Sequence, residues 1–302
     1  MNSEVKEFYP LALVNITNRC TLRCKHCFVF REGNPNKPTK SNEMPAEVML
    51  NEIKKYKRTY GIYSMLWMGG EPLLRKDVLK PGIKIFPRNV VTTNGTLPLI
   101  NLGANMIWVI SLDGPEEIND EIRGKGCFKK VISNLLDLPD DFTGDLQSQC
   151  AVTKKNEDCI EELVKFLMKE TPIRGLTFSF YVPRKNDTSE FTWKSLKERD
   201  YAVKKAHKLK KQYPKFILNN EFAFELLLSQ NALSVTNNCP MKKYLLPLYL
   251  GDKGFEIPFC CHGNDVNCDM CGSFGVFHMA AVMKKNPKID FGHKDSSHEL
   301  YF

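Results

Sequence analysis

From residue 11 to about residue 213, short apolar runs alternate with longer stretches of helical periodicity. Six runs have strand character: residues 11–17 (LALVNIT), 63–68 (YSMLWM), 88–93 (RNVVTT), 106–112 (MIWVISL), 147–153 (QSQCAVT) and 176–182 (LTFSFYV). They are short and rich in β-branched and aromatic residues, as strands buried on both faces should be. Between them, residues 44–60 carry Val48, Met49, Ile53 and Tyr56 at helical spacing, with Pro45 in the first turn and Gly61 past the last. Residues 128–138 and 161–169 read as further helices, the latter capped from Asn156-Glu157-Asp158. Residues 194–215 form an amphipathic helix with a basic face. Strand–helix alternation with no compositional break predicts a parallel α/β array. Six units are too few for a closed eightfold barrel, so the expectation is an open, partial (β/α)6 barrel.

The segments that follow the strands change the picture. The first strand runs into Cys20-Thr21-Leu22-Arg23-Cys24-Lys25-His26-Cys27, a C-x3-C-x2-C loop. The second ends in Gly69-Gly70-Glu71-Pro72, the third in Asn94-Gly95-Thr96, and the fourth in Ser111-Leu112-Asp113-Gly114-Pro115 with Arg123-Gly124 downstream. Right-handed crossovers put all four at one face, the carboxyl ends of the strands, where α/β folds keep their chemistry. Glycines at a strand end let backbone approach a ligand closely, and a carboxylate beside them can hold an ammonium group. Three thiolates suit a metal or cluster with one position open. A zinc half-site completed by His26, or three unrelated thiols, are the plainer alternatives. Gly-Gly and Asp-Gly-Pro taken singly are ordinary turns.

The four motifs, in order on four consecutive strands, resemble the radical S-adenosylmethionine (radical SAM) superfamily. The resemblance implies a TIM-like partial barrel in which Cys20, Cys24 and Cys27 hold a [4Fe–4S] cluster. Its open iron would bind the amino and carboxylate groups of SAM. It further implies that Gly69, Gly70 and Glu71 grip the methionine ammonium. Asn94, in a TNG that the family often carries here, would also belong to the cofactor site, and Ser111, Asp113 and Arg123 would serve the ribose and carboxylate. The implied activity is reductive cleavage of SAM to a 5′-deoxyadenosyl radical, which abstracts hydrogen from a substrate or adds to it. His26 stands where relatives often carry another aromatic residue, Asn119 where many carry His. The family's glycine-spaced fifth-strand motif is not visible.

Composition bounds the rest. The chain has 302 residues, 42% hydrophobic and 26% charged, ordinary for a globular protein with one large core. No spanning apolar run and no basic-then-apolar N-terminus is present, so a cytoplasmic protein is expected. Of eleven cysteines, eight fall in two tight groups, which argues for metal in a reducing compartment rather than disulfides. Cys127, Cys150 and Cys159 are scattered and read as core or incidental thiols. The net charge of +8 owes much to residues 194–215. A solvated face explains it most simply. An anionic substrate, an acidic electron donor or peripheral contact with lipid head groups are sharper explanations, and nucleic acid is not expected.

Beyond residue 215 the sequence suggests a small C-terminal extension (216–302) following the barrel (1–215). Residues 221–230 read as a helix. Cys239, Cys260, Cys261, Cys268 and Cys271 then offer four ligands and one spare. Adjacent Cys260 and Cys261 would point in opposite directions if extended, so one of them is the expected ligand. The extension resembles an abbreviated SPASM-type tail, as in adenosylhopane-synthase-like, tetraether-lipid-synthase-like and cytosylglucuronate-decarboxylase-like enzymes. That implies an auxiliary [4Fe–4S] cluster, and a zinc knuckle is the alternative. The expected substrate is a small anionic or lipid-like metabolite, with a reductase or flavodoxin/ferredoxin-like electron donor as partner. A peptide- or protein-modifying maturase is the second reading. A non-catalytic zinc- or iron-binding interaction protein is the reading from another class. Residues from 284 on are polar and expected to be loose.

Overall fold

The computed structural model describes residues 7–39 and 43–286. Part of the loop after the cysteines, and the closing residues from 287, therefore lie outside the described residues; Lys284 and Lys285 end a helix. Eight strands form one sheet: β1 (Leu11–Asn15), β2 (Ser64–Met68), β3 (Arg88–Thr93), β4 (Met106–Ser111), β5 (Asp145–Val152), β6 (Gly175–Phe180), β7 (Leu245–Gly251) and β8 (Gly254–Glu256). The helices are α1 (Ala46–Tyr60), α2 (Lys76–Gly82), α3 (Glu116–Arg123), α4 (Cys127–Leu136), α5 (Ile160–Glu170), α6 (Leu196–Gln212), α7 (Glu221–Leu227), α8 (Ser229–Asn237), α9 (Met241–Tyr244) and α10 (Phe274–Lys285).

The sheet order is β6-β5-β4-β3-β2-β1-β7-β8. Every pairing from β6 to β7 is parallel, and only β7–β8 is antiparallel. Central β1 is buried along its whole length, which is why Leu11 to Val14 are a continuous apolar run rather than an alternation; buried Asn15 at its end donates to Asn36 Oδ1 at 2.9 Å. The core continues through Trp67 and Trp108, both fully buried. The Trp67 indole N–H donates to Asn89 Oδ1 at 2.9 Å, so the large ring leaves no polar atom unmet there.

Three differences from the sequence reading have physical reasons. First, the boundary near residue 215 separates no sheet: β7 lies beside β1, seated there by an all-apolar run, LLPLYL. Second, residues 221–230 are two helices, because Leu228 turns extended between α7 and α8. Third, no side chain of Asn156-Glu157-Asp158 caps α5. The Asn156 amide instead donates to the carbonyls of Asp113 and Ala151, at 2.6 and 3.0 Å.

The C-terminal region also reaches the opposite edge of the sheet. Gly272 forms an antiparallel bridge with Phe180 of β6, its carbonyl accepting the Phe180 N–H at 2.9 Å. A Cβ at position 272 would lie 2.5 Å from Phe180 Cβ and 2.9 Å from the Phe180 carbonyl oxygen. Gly272→Ala should therefore lower stability by about 1–3 kcal/mol, the usual cost of overpacking, because backbone cannot move aside as a side chain can. Chemical denaturation of the variant checks this; an unchanged midpoint would contradict it.

Candidate functional site

A cavity of about 540 Å³ opens at the carboxyl ends of the strands. Cys20, Cys24 and Cys27 line it together with Gly69, Gly70, Asn94, Ser111 and Arg123. Eight of the ten residues singled out for this face thus meet around one space; Glu71 and Asp113 do not line it.

These two carboxylates are bound into the frame of the site. Glu71 is fully buried, and its carboxylate accepts from Thr93 Oγ1 (2.7 Å), Asn94 N (2.9 Å) and Leu73 N (3.0 Å). Burial raises its carboxyl pKa, and these donors oppose the rise. It ties the end of β2 to the end of β3 rather than presenting an oxygen to a ligand. Asp113 is also fully buried. One of its oxygens meets His26 Nε2 and Arg123 Nε, each at 2.7 Å, and the other accepts the Ala151 N–H at 2.9 Å. Burial alone would raise its pKa, but Arg123 and His26 hold the carboxyl well below the usual range. Asn119 supports the same junction: its buried Oδ1 accepts the Asp113 backbone N–H at 3.0 Å.

The glycines act on the cysteine loop directly. A Cβ on Gly70 would meet the Arg19 carbonyl oxygen at 2.1 Å and Cys20 Cβ at 3.0 Å. Gly70 N–H donates to the Thr17 carbonyl and Glu71 N–H to the Arg19 carbonyl, both at 2.8 Å. The close approach that the sequence assigned to a ligand is therefore first an approach of backbone to backbone, holding the loop's N-terminal arm. Asn94 reaches the same arm, with its amide 3.0 Å from Thr21 Oγ1 and 3.6 Å from Cys20 Sγ. On the other side Lys25 N–H donates to the Ile122 carbonyl at 2.9 Å.

The donor set fits a thiolate-bound cluster. Three cysteines line one cavity from a loop pinned at both arms, and His26 is committed to Asp113. Burial pushes the Cys24 thiol up to about 12, against the pull of Arg123, and burial also raises Cys20. Ligation would thus release protons from these thiols.

The sequence reading missed the far end of the cavity. Arg31, Tyr181, Arg184, Asp187 and His262 line it there. The Arg31 guanidinium lies 5.6 Å from the Tyr181 ring centroid and donates to the Val182 carbonyl at 2.5 Å. None of these residues belongs to a spaced motif; their convergence is a product of the fold.

A second cavity, of about 220 Å³, is lined by all five C-terminal cysteines, Cys239, Cys260, Cys261, Cys268 and Cys271. It shares Val182 and His262 with the first, so the two cavities stand back to back. Cys260 and Cys261 do not point apart as an extended segment would require. A tight turn, closed by paired hydrogen bonds between Cys260 and Gly263, brings both sulfurs to one side. Cys260 Sγ accepts the His262 N–H at 3.3 Å, and a hydrogen bond from Cys261 holds its pKa down while that of Cys261 rises. Cys260, Cys261 and His262 also bring their ligand atoms within 4.8 Å of one another, a spacing that a single ion could span. Burial drives the His262 imidazole pKa down to about 3, so the ring is neutral. Cys127, Cys150 and Cys159 line neither cavity. Among the described residues no helix is long and apolar enough to cross a membrane.

Comparison with known proteins agrees with this arrangement. Residues 14–167, half of the chain, match the family model described as the Radical SAM superfamily, and the chain belongs to that superfamily of enzymes. Membership brings with it a [4Fe–4S] cluster and SAM. The chain is 32% identical over 143 residues to Fe-coproporphyrin III synthase of Methanosarcina barkeri, covering 43% of this chain and 34% of that protein. It is 28% identical over 206 residues to the cysteine-type anaerobic sulfatase-maturating enzyme of Clostridium novyi, covering 61% and 54%. The chain thus spans about a third to a half of the length of these relatives. The solved structure described as native anSMEcpe with bound AdoMet superposes with a TM-score of 0.61 at 17% identity, over 97% of this chain and 84% of that one; this is a likeness of fold.

The Asp113 junction generates a pH prediction. Its carboxyl is depressed in the folded state, so its contribution is complete above the unfolded value near 4 and is lost as pH falls toward the folded value. Asp113→Asn leaves Arg123 buried without its partner and should cost about 3–5 kcal/mol at neutral pH. In denaturation of the cluster-free protein, the gap between wild type and variant should be constant above about pH 4 and shrink below it. A gap that persists undiminished into strong acid would show that the charge is not what matters.

Proposed function

We propose that this protein cleaves SAM reductively at a [4Fe–4S] cluster held by Cys20, Cys24 and Cys27, and acts on a small anionic substrate. The observation that carries the reading is the convergence of the three cysteines with Gly69, Gly70, Asn94, Ser111 and Arg123 on one cavity. When bound, the cluster supplies an electron and SAM a 5′-deoxyadenosyl radical equivalent, chemistry the protein itself does not possess. The chain's own part is positioning. Gly69 and Gly70 shape the wall beside the cysteine loop, Asn94 lies against Cys20, and Ser111 and Arg123 present a hydroxyl and a cation to polar ligand groups. The Asp113–His26–Arg123 junction keeps the loop in register with β4 and α3. Apolar Phe28, Val29, Phe30 and Phe180 on the wall limit water around the reacting atoms.

The charge of the cavity favours an anionic substrate. Arg23, Lys25, Arg31, Arg123 and Arg184 line it against Glu32 and Asp187. Modification of a peptide is the second reading, favoured by the sulfatase-maturating relative. An external electron donor, a reductase or a flavodoxin/ferredoxin-like protein, is implied by the need to reduce the cluster.

We further assign the C-terminal extension an auxiliary [4Fe–4S] cluster, ligated by Cys239, Cys260, Cys268 and Cys271, with Cys261 spare. Its support is the single cavity that these sulfurs share and the N–H that His262 offers Cys260. Zinc bound in part by Cys261 and His262 is the competing occupant.

Anaerobically reconstituted protein with dithionite should convert SAM to 5′-deoxyadenosine, and Cys24→Ala should abolish the conversion. Equal yields from the two would refute the cleavage activity. The Cys20/Cys24/Cys27→Ala variant should retain about four irons, the content of one cubane on four cysteines. A further Cys268/Cys271→Ala change should remove them. Zinc in place of iron in the triple variant would make the extension a structural knuckle.

A further inference from the structure

Arg199, in the first turn of α6, is fully buried. Its guanidinium donates to three carbonyls: Nη1 to Met270 (3.1 Å) and Cys271 (2.9 Å), and Nη2 to Leu227 (2.9 Å). Its Nε is buried and has no hydrogen-bond partner among the described residues. No carboxylate pairs with it among those residues. The neighbouring Asp200 carboxylate is engaged by Ser229, accepting from its N–H at 2.8 Å and its hydroxyl at 2.7 Å. A charge removed from water costs several kcal/mol unless a counter-charge meets it, and three carbonyl dipoles are only part of one.

A second cation points the same way: among the described residues, Lys242 is the charged side chain that lines the five-cysteine cavity. A [4Fe–4S] centre on four thiolates is net negative in both oxidation states, and more so when reduced.

We propose that Arg199 is the buried counter-cation of the auxiliary centre and sets its reduction potential, a role that rests on the cluster reading of the extension given above. It is a positioning and tuning residue, not one that touches substrate. Its cation lies against the segment that carries Cys271, so it stabilises the reduced, more negative cluster more than the oxidised one. Removing the charge should move the potential downward.

The test uses the full chain with Cys20, Cys24 and Cys27 changed to Ala, so that only the second centre remains. After anaerobic reconstitution its midpoint potential is read by EPR-monitored redox titration. Arg199→Gln keeps an N–H donor for the carbonyls but has no charge. Arg199→Lys keeps the charge but loses the planar fork. The expected result is a more negative potential for Arg199→Gln and one near the parent's for Arg199→Lys. A folded, iron-loaded Arg199→Gln with the parent's potential overturns the proposal, as do equal shifts in both variants. If Arg199→Gln does not fold, Arg199→Lys decides. A potential at the parent's value supports the charge role. A displaced potential, or failure to fold, leaves Arg199 as a staple of three carbonyls and overturns it. Zinc, or no iron, in the parent with Arg199 intact is a separate failure: it removes the auxiliary cluster before any Arg199 variant is measured, and this role with it.

Discussion

The site depends on one buried carboxylate. Asp113, itself fully buried, is held by His26 from the cysteine loop, Arg123 from α3 and the Ala151 N–H from β5. A carboxylate in such a place is stable only because two cationic or proton-donating partners and a backbone donor meet it at once. That requirement joins three chain segments from different parts of the sequence. Glu71 does the equivalent on the other side, joining the ends of β2 and β3. Both acids belong to the frame, and the side chains left facing the cavity are neutral or basic apart from Glu32 and Asp187. An open cavity of that character suits anionic ligands and leaves the thiolates as its chief negative groups.

The C-terminal region is part of the same frame. β7 extends the sheet beyond β1, and Gly272 is pinned to β6 at the other edge. The five-cysteine cavity is thereby brought against the first, with Val182 and His262 shared between them. The Phe28 ring, three bonds of backbone past the cysteine loop's last sulfur-bearing residue, lies 4.8 Å from the His262 ring. The neutral imidazole therefore sits between the two cysteine groups, where a charged ring would be repelled by Arg31.

Much of this was legible in the sequence. The six strands of the partial barrel follow from apolar runs that are short because each strand is buried on both faces. The motifs converge because a parallel sheet sends every strand end to one side. What escaped has equally physical causes. β7 lies after four helices, α6 to α9, and pairs with the first strand, a long-range partnership that no local pattern encodes. The resemblance implied Glu71 and Asp113 as cofactor residues; a sequence shows a carboxylate but not its direction, and both side chains turn into the frame. The turn at Cys260–Gly263 defeated the rule that neighbouring side chains diverge, since that rule holds only for extended backbone. Arg199 was hidden inside a helix whose basic residues suggested a solvated face or a docking surface, and no buried cation.

The central claim is that Cys20, Cys24 and Cys27 present a cluster with an open position to SAM. EPR of the dithionite-reduced, reconstituted protein with and without SAM tests it most directly. The account predicts that SAM alters the wild-type signal, and leaves unchanged the signal of the variant lacking these three cysteines. A wild-type spectrum indifferent to SAM, or the same change in the variant, would contradict it.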